Sequence, residues 1–275
     1  MHVVKISDGL GNQMFQYAFA RKLQLISNKK VYLDTRFINH DDLWITEKKD
    51  SVKQKNDHRE YGLNNFRIKL PELSESIWNK HIILPWRYRS ENDIKRKDGI
   101  IKYHYPYSIY FKGYFFDLTY YDDIKEILQS DFRVKKPFCL PAKINYIIKN
   151  ENTVSLHVRK GDFVRNHRDI SRTQYYNRAI SCIHNLVEQP VFLVFSDDIN
   201  WVKSNMKIPG KKLYISQMGF DDYQELTIMK HCKYNIIANS TFSYWAAYLN
   251  DYVDKKVISP KHWKPDIIPK DWITL

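Results

Sequence analysis

Cysteine is scarce in this chain: Cys139, Cys182 and Cys232 are the only three in 275 residues. They lie far apart and never in C-x-x-C spacing, so neither a disulfide framework nor a zinc site is indicated, and a reducing cytosol is the expected compartment. No apolar window reaches the length of a membrane span. The opening "MHVVKISDGL" has neither the basic flank nor the long apolar run of a signal peptide, so export by that route is not expected. Internal repeats and low-complexity tracts are absent. So is D-x-D: the acids pair side by side at Asp41-Asp42, Asp122-Asp123, Asp197-Asp198 and Asp221-Asp222. Without that spacing, no divalent ion is expected against a diphosphate, and no metal or cofactor is predicted.

The chain is rich in packing material. Hydrophobic residues make up 43%, with seven Trp, twenty Tyr and fourteen Phe, which excludes a disordered or fibrous chain. The length favours two modest lobes over one core. A formal charge of +13 implies an anionic partner: nucleic acid, a phospholipid surface or a phosphorylated small molecule. Interspersed acids and the lack of a recognised binding motif weigh against nucleic acid.

From Pro137 onward, strand-like and helix-like runs alternate: "NTVSLHVR", "SRTQYYNRAISCIHNL", "PVFLVFS", "INWVKSNM", "KLYIS", "DDYQELTIMKHCK", "YNIIANS", "TFSYWAAYLND" and "KKVISP". That order predicts a parallel sheet with helices on both faces. Each strand ends in polar residues, and ligands of open parallel sheets bind beyond the carboxyl ends of strands, so the endings mark one site. The N-terminal part reads similarly, with "HVVKIS" a strand, "DGLGNQ" a turn, "MFQYAFARKLQLIS" a helix and "KKVYLD" a strand. "GYFFDLTYYDDIKEILQSDF" reads as a strand end and an amphipathic helix, and "RVKKPFCLPAK" as the linker between lobes. Residues 41–102 stay open, because the charged "TEKKDSVKQKNDHRE" stands beside the apolar "IWNKHIILPWRYR".

In "VSLHVRKGDFVRN", alternation puts Val154, Leu156 and Val158 on one face and Ser155, His157 and Arg159 on the other. Arginine's planar fork suits phosphate oxygens, and His157 can add a donor. The competing reading is a surface ion pair for Arg159 and a structural role for His157. Next, "NIIANSTFSYWAAYL" turns from a buried strand through Asn239, Ser240, Thr241, Phe242 and Ser243 into a helix whose free N–H groups can cradle an anion; simple capping is the alternative. Asp197 and Asp198 of "FSDD" are placed to accept from guanine or a ribose hydroxyl, or else to start the next helix. "SDGLGNQ", with Asp34 closing the second strand, is similar to a dinucleotide fingerprint, but Met14 occupies the third glycine's place.

With these stretches on the page, the chain resembles glycosyltransferase family eleven, the bacterial and animal α1,2-fucosyltransferases that use GDP-fucose. The match rests on "DGLGNQMFQYAFARKL", "LHVRKGDF" for H-x-R-x-G-D-[FY], "FSDD" and "MKHCKYNIIANSTFSYWAAYLN". It departs at Asp8, where the family has a glycine, and at Ser243 to Tyr248, which read S-Y-W-A-A-Y for the frequent S-W-W-G-A-W; both changes are expected to alter acceptor fit. The resemblance implies an α/β fold of two Rossmann-like lobes in a compact GT-B architecture. It divides the chain into an acceptor-side lobe over 1–137, a GDP-sugar lobe over 138–258, and a segment, 259–275, packing back toward the first lobe. It further implies an inverting, metal-independent transfer of fucose from GDP-β-L-fucose to a galactose 2-hydroxyl of an oligosaccharide or lipid-linked glycan, as in bacterial O-antigen assembly.

By the same resemblance, Arg159 grips the β-phosphate with His157 nearby, and Ser243 or adjacent helix N–H groups complete the cradle. Gly11, Gln13, Asp197, Asp198, Asn239, Ser240, Thr241 and Phe242 are the further donor-binding candidates, and Asn12 is placed to meet sugar or acceptor. Asp162, Asp8 and Asp34 are candidate bases, Asp162 having the alternative task of fixing Arg159 and its loop. A competing reading, an NAD-dependent oxidoreductase, uses "DGLGNQ" and Asp34 but leaves "LHVRKGDF" idle. Another keeps the reaction and changes the donor to a related GDP-deoxyhexose such as colitose. The expected location is cytoplasmic, with "IWNKHIILPWRYR" suited to peripheral docking on the inner membrane face or, alternatively, to burial in the first lobe.

Overall fold

The computed structural model describes residues 1–39, 60–94 and 103–275. Asp41-Asp42 and nearly all of "TEKKDSVKQKNDHRE" fall outside them. The chain divides into two compact units, 1–135 and 136–275, with the break inside the proline-bearing stretch read as a linker.

The first unit runs β1 (His2–Lys5), α1 (Leu10–Ile26), β2 (Val31–Asp34), α2 (Arg36–Asn39), α3 (Glu75–Lys80), β3 (Tyr88–Ser90), α4 (Glu91–Ile94), β4 (Ile109–Lys112) and α5 (Lys125–Asp131). Its strands form a parallel sheet in the order β2-β1-β4-β3, with β1 and β4 at its centre. α1 is apolar nearly all round because it is covered on several sides: Met14, Phe15, Tyr17, Ala18 and Phe19 are fully buried, and Phe19 stacks on Phe115 with ring centroids 3.8 Å apart. β3 lies in the stretch the sequence left open.

The second unit runs α6 (Ala142–Asn150), β5 (Asn152–Val158), α7 (Gly161–Arg165), α8 (Tyr175–Leu186), β6 (Pro190–Ser196), α9 (Ile199–Asn205), β7 (Lys211–Tyr214), α10 (Asp222–Lys230), β8 (Tyr234–Ile236), α11 (Thr241–Leu249), β9 (Val257–Ser259) and β10 (Ile273–Thr274). Its sheet is parallel throughout, ordered β10-β9-β8-β5-β6-β7. Read from β7, this is the 3-2-1-4-5-6 order of the doubly wound dinucleotide-binding fold. One side of β5, with Val154, Leu156 and Val158, packs on Ile180 and Ile183 of α8 and Val202 of α9. The other side is covered too. Ser155 and His157, which alternate onto that side, are 2% and 5% exposed, and Ser155 Oγ accepts from Asn235 Nδ2 at 2.7 Å. Sheets sandwiched by helices bury both strand faces, which overrides the alternation.

Residues 259–275 supply β10, which pairs with β9 at the edge of the second sheet. The three cysteines are free thiols. Among the described residues no helix is long and apolar enough to cross a membrane.

Candidate functional site

The second unit's winding reverses between β5 and β8, the switch point where such folds hold ligands. The chain leaving β5 carries Arg159, and the chain leaving β8 runs through Asn239 into α11. Ring contact between His157 and Phe242, centroids 5.7 Å apart, shows that the two departures are neighbours. Asn239 Nδ2 also reaches the Arg168 carbonyl at 2.8 Å, tying the loop beyond α7 to the same place.

Arg159 is held on two sides. Its Nε and Nη2 donate to Asp162 Oδ1 at 3.0 and 2.6 Å, and Nη1 lies 3.2 Å from Asp197 Oδ2. All three side chains are partly open, at 24%, 18% and 24% exposure, so the pairs orient the fork more than they stabilise the fold. Asp197 Oδ1 also accepts the Lys160 backbone N–H at 2.7 Å, and a Cβ on residue 161 would stand 2.6 Å from Asp197 Oδ2. Only glycine at 161 lets that carboxylate close on the loop. Burial raises the Asp197 carboxyl above its ordinary range, against the pull of Arg159.

His157 is neutral. Burial first, then the charge of Arg159, lowers it to about 3, and its Nδ1 is buried without a hydrogen-bond partner. Lys160, which the sequence reading passed over, is 4% exposed: its Nζ donates to Asp169 Oδ2 at 2.8 Å and Ser171 Oγ at 3.1 Å, 3.7 Å from the centre of the Trp201 ring. It ties the Arg159 loop to the next one. A lysine directly after Arg159 was its only sequence signal.

Several candidate side chains are engaged internally. Asp198 Oδ1 accepts from Trp201 N at 3.0 Å and caps α9. Ser243 Oγ accepts from Ala238 N at 3.2 Å and donates to the Ser240 carbonyl at 3.3 Å, so its hydroxyl closes the turn before α11 and does not extend a cradle. Ser240 caps α11 through Phe242 N at 3.3 Å; Thr241 opens the helix. Tyr244 to Tyr248 are at most 1% exposed and pack in the core, so the departure from S-W-W-G-A-W alters packing and not an open acceptor surface.

In the first unit, Gly11 and Asn12 lie in the first turn of α1. Gln13 is fully buried: Nε2 donates to the Asp8 and Glu60 carbonyls at 2.7 and 2.8 Å, and Oε1 accepts from Gly62 N at 3.0 Å. That amide clamps the loop and is not directed at a donor. Asp34 is fully buried as well, receiving Arg36 Nε and Nη2 at 2.8 Å each and Tyr110 Oη at 2.7 Å. A carboxylate so saturated is neither an available base nor a ribose ligand, which removes the basis of the oxidoreductase reading. Asp8 is exposed at the carboxyl end of β1 with φ +64°, accepting from the Tyr114 hydroxyl. Glycine adopts that left-handed backbone freely, and aspartate tolerates it. Among the described residues no three His, Cys, Asp or Glu side chains gather as a metal site would require.

A model described as Glycosyl transferase family 11 matches residues 1–273. The O-antigen biosynthesis glycosyltransferase WbnK of Escherichia coli is 30% identical over 98% of this chain and 99% of its own length. An alpha-1,2-colitosyltransferase of Escherichia coli is 28% identical over 99% of this chain and 98% of its own. The crystal structure of fucosyltransferase NodZ from Bradyrhizobium superposes with a TM-score of 0.50 at 11% identity, covering 90% of this chain and 92% of that one, a likeness of fold. A doubly wound second unit, a parallel first unit and a match across the chain agree: this is a GT-B glycosyltransferase, and the chain belongs to Glycosyl transferase family 11.

Proposed function

We propose that the enzyme transfers L-fucose, with inversion and without a metal, from GDP-β-L-fucose to a galactose 2-hydroxyl, and that the second unit holds the donor. The observation that carries this reading is the coincidence of Arg159 with the β5–β8 switch point, where α11 also begins. A diphosphate lodged there meets a guanidinium fork already aimed by Asp162 and Asp197, together with the positive end of a helix. As the bond from the fucosyl carbon to the β-phosphate oxygen breaks, negative charge grows on that phosphate, and donors fixed in advance lower the barrier because they need no reorganisation. The neutral His157 contributes an N–H at most, not a charge. Asn239, Ser240, Thr241 and Phe242 complete the donor surface with Asp197; Gln13, Asp198 and the Ser243 hydroxyl serve the scaffold.

Arg159→Ala is expected to lower turnover about a hundredfold or more while the melting transition persists. Near-normal turnover of the folded variant would refute the assignment. Turnover is expected to survive EDTA, and its abolition with recovery on adding a divalent ion would overturn metal independence.

A second donor has support from the colitosyltransferase relative. Colitose differs from fucose by one missing hydroxyl, and a pocket that hydrogen-bonds a hydroxyl rejects the analogue lacking it far more strongly than an apolar pocket rejects an added one. Competing GDP-fucose and GDP-colitose in one reaction, with linkage analysis of the product, decides between them; preference for colitose would displace the fucose assignment and leave the diphosphate site standing.

A further inference from the structure

The segment 77–89 divides its apolar residues between two destinations. Ile83 is 2% exposed and joins Val3, Leu73 and Tyr110 in a small core, with Ile77, Trp78 and Tyr88 packed against it. Its neighbours point outward: Ile82 is 61% exposed, Leu84 40% and Trp86 68%. The outward residues are therefore not loose, because the chain between them is anchored by Ile83. The turn is tied by Arg87 N donating to the Leu84 carbonyl at 2.9 Å and Arg89 Nη1 to the Trp86 carbonyl at 2.9 Å. Arg87 lies over the ring of Tyr107, 5.1 Å from its centre.

This turn leads into the amino end of β3. The first sheet is parallel, so the amino ends of β1, β2 and β4 lie along the same edge. Lys29 and Lys30 stand just before β2, and Lys29 Nζ donates to the Pro106 carbonyl ahead of β4 at 2.9 Å. No Asp or Glu occurs in residues 27–33, 80–90 or 103–112, the stretches that build this edge. An exposed tryptophan following two exposed aliphatics is costly in water, and cations without an acid in these stretches do not suit a neutral or cationic partner. Indole, aliphatic tips and lysine or arginine together match the headgroup region of a bilayer bearing negative lipids.

We propose that this edge of the first sheet docks on an anionic phospholipid bilayer, with Ile82, Leu84 and Trp86 entering the headgroup layer and Lys30, Lys80 and Arg87 facing lipid phosphates. The inference is independent of which sugar is transferred. The test is cosedimentation of the full chain with vesicles of phosphatidylcholine alone or mixed with phosphatidylglycerol, at low and high salt. Wild type is expected to bind the mixed vesicles at low salt, to leave them at high salt, and to ignore phosphatidylcholine. Since each cation near such a surface is worth roughly fivefold in partitioning, Lys80→Gln with Arg87→Gln should weaken binding roughly thirtyfold. Ile82→Ser with Trp86→Ser should weaken it at least about tenfold. Lys80, Ile82 and Trp86 are exposed and Arg87 is half-buried outside the small core, so melting and GDP protection are expected to stay as in wild type, and the single Trp86→Ser variant gives the same reading should the double variant not fold. Absence of binding by wild type, or unchanged binding by the Ile82/Trp86 variant, overturns the proposal. So does a wild-type dimer in gel filtration that the same variant dissociates, since the patch would then pair two copies of the chain.

Discussion

Gly161 and Asp197 show how little room separates the loop after β5 from the end of β6. With the hypothetical Cβ 2.6 Å from Asp197 Oδ2, Gly161→Ala must push the carboxylate away from Lys160 N and Arg159. The expected result is a loss of about 1–3 kcal/mol in stability, together with a fall in turnover from a misaimed arginine. Unchanged kinetics in that variant would mean that Asp197 does not position Arg159. Asp198 makes the opposite forecast: as a cap of α9, Asp198→Ala should cost about 1 kcal/mol in a denaturant melt and leave the KM for the GDP-sugar where it was. A large rise in that KM would restore the donor contact. Sequence reading placed both acids beside the nucleotide because "FSDD" ends a strand; it could not tell that consecutive side chains leave in different directions, one to the loop of β5 and one to the helix start. Arg159 was legible since its chemistry and its position at a strand end agree.

At the scale of elements, most strands and helices of the second unit were legible because they are short, strongly patterned runs between turn residues; β6 coincides with "PVFLVFS". The α6 helix was not foreseen. Only Ile144 and Ile147 are buried in this short stretch, which begins after the proline used to mark a linker. The near-complete burial of Ser155 and His157 was hidden for a related reason. The information that both sides of β5 are covered resides in α11, apolar on every side and buried from Ser243 to Leu249, not in β5 itself. α11 starts at Ser240, and Ser240→Ala should cost about 1 kcal/mol by freeing Phe242 N. A matched loss of GDP protection in thermal melts is expected if that helix start also supports the phosphates. Retention of full protection would confine Ser240 to capping.

For the whole molecule, pH acts through buried groups with opposite signs. His157 titrates at about 3 in the folded state against about 6.5 unfolded, so between those values the unfolded chain binds the extra proton. Stability from this group is full above the upper value and is lost as pH falls toward 3, by on the order of a few kcal/mol. Glu225, raised to about 7 mainly by burial, contributes stability that is full below about 4.5 and lost as pH rises through 7. Melting temperatures should therefore fall on both sides of a mildly acidic optimum. His157→Asn is expected to flatten the acid side and Glu225→Gln the alkaline side, and a profile unaltered by either would show that other groups govern it. The two-lobe plan and the parallel second sheet followed from alternating patterns, whereas the first unit's β3 did not, because it lies where a charged run stands beside an apolar one and no alternation surrounds its three residues.

The arginine at the switch point is already matched, in the free protein, by two aspartates. Both acids flank the guanidinium, at 2.6 and 3.2 Å, so an anion that reaches the fork also meets their oxygens. A bare polyphosphate approaching it gains the fork only by crowding those acids, so pyrophosphate should be a poor competitor of the donor. On the proposed reading, recognition then rests largely on the nucleoside, whose hydroxyls and base edge can use the very oxygens that repel an unadorned anion.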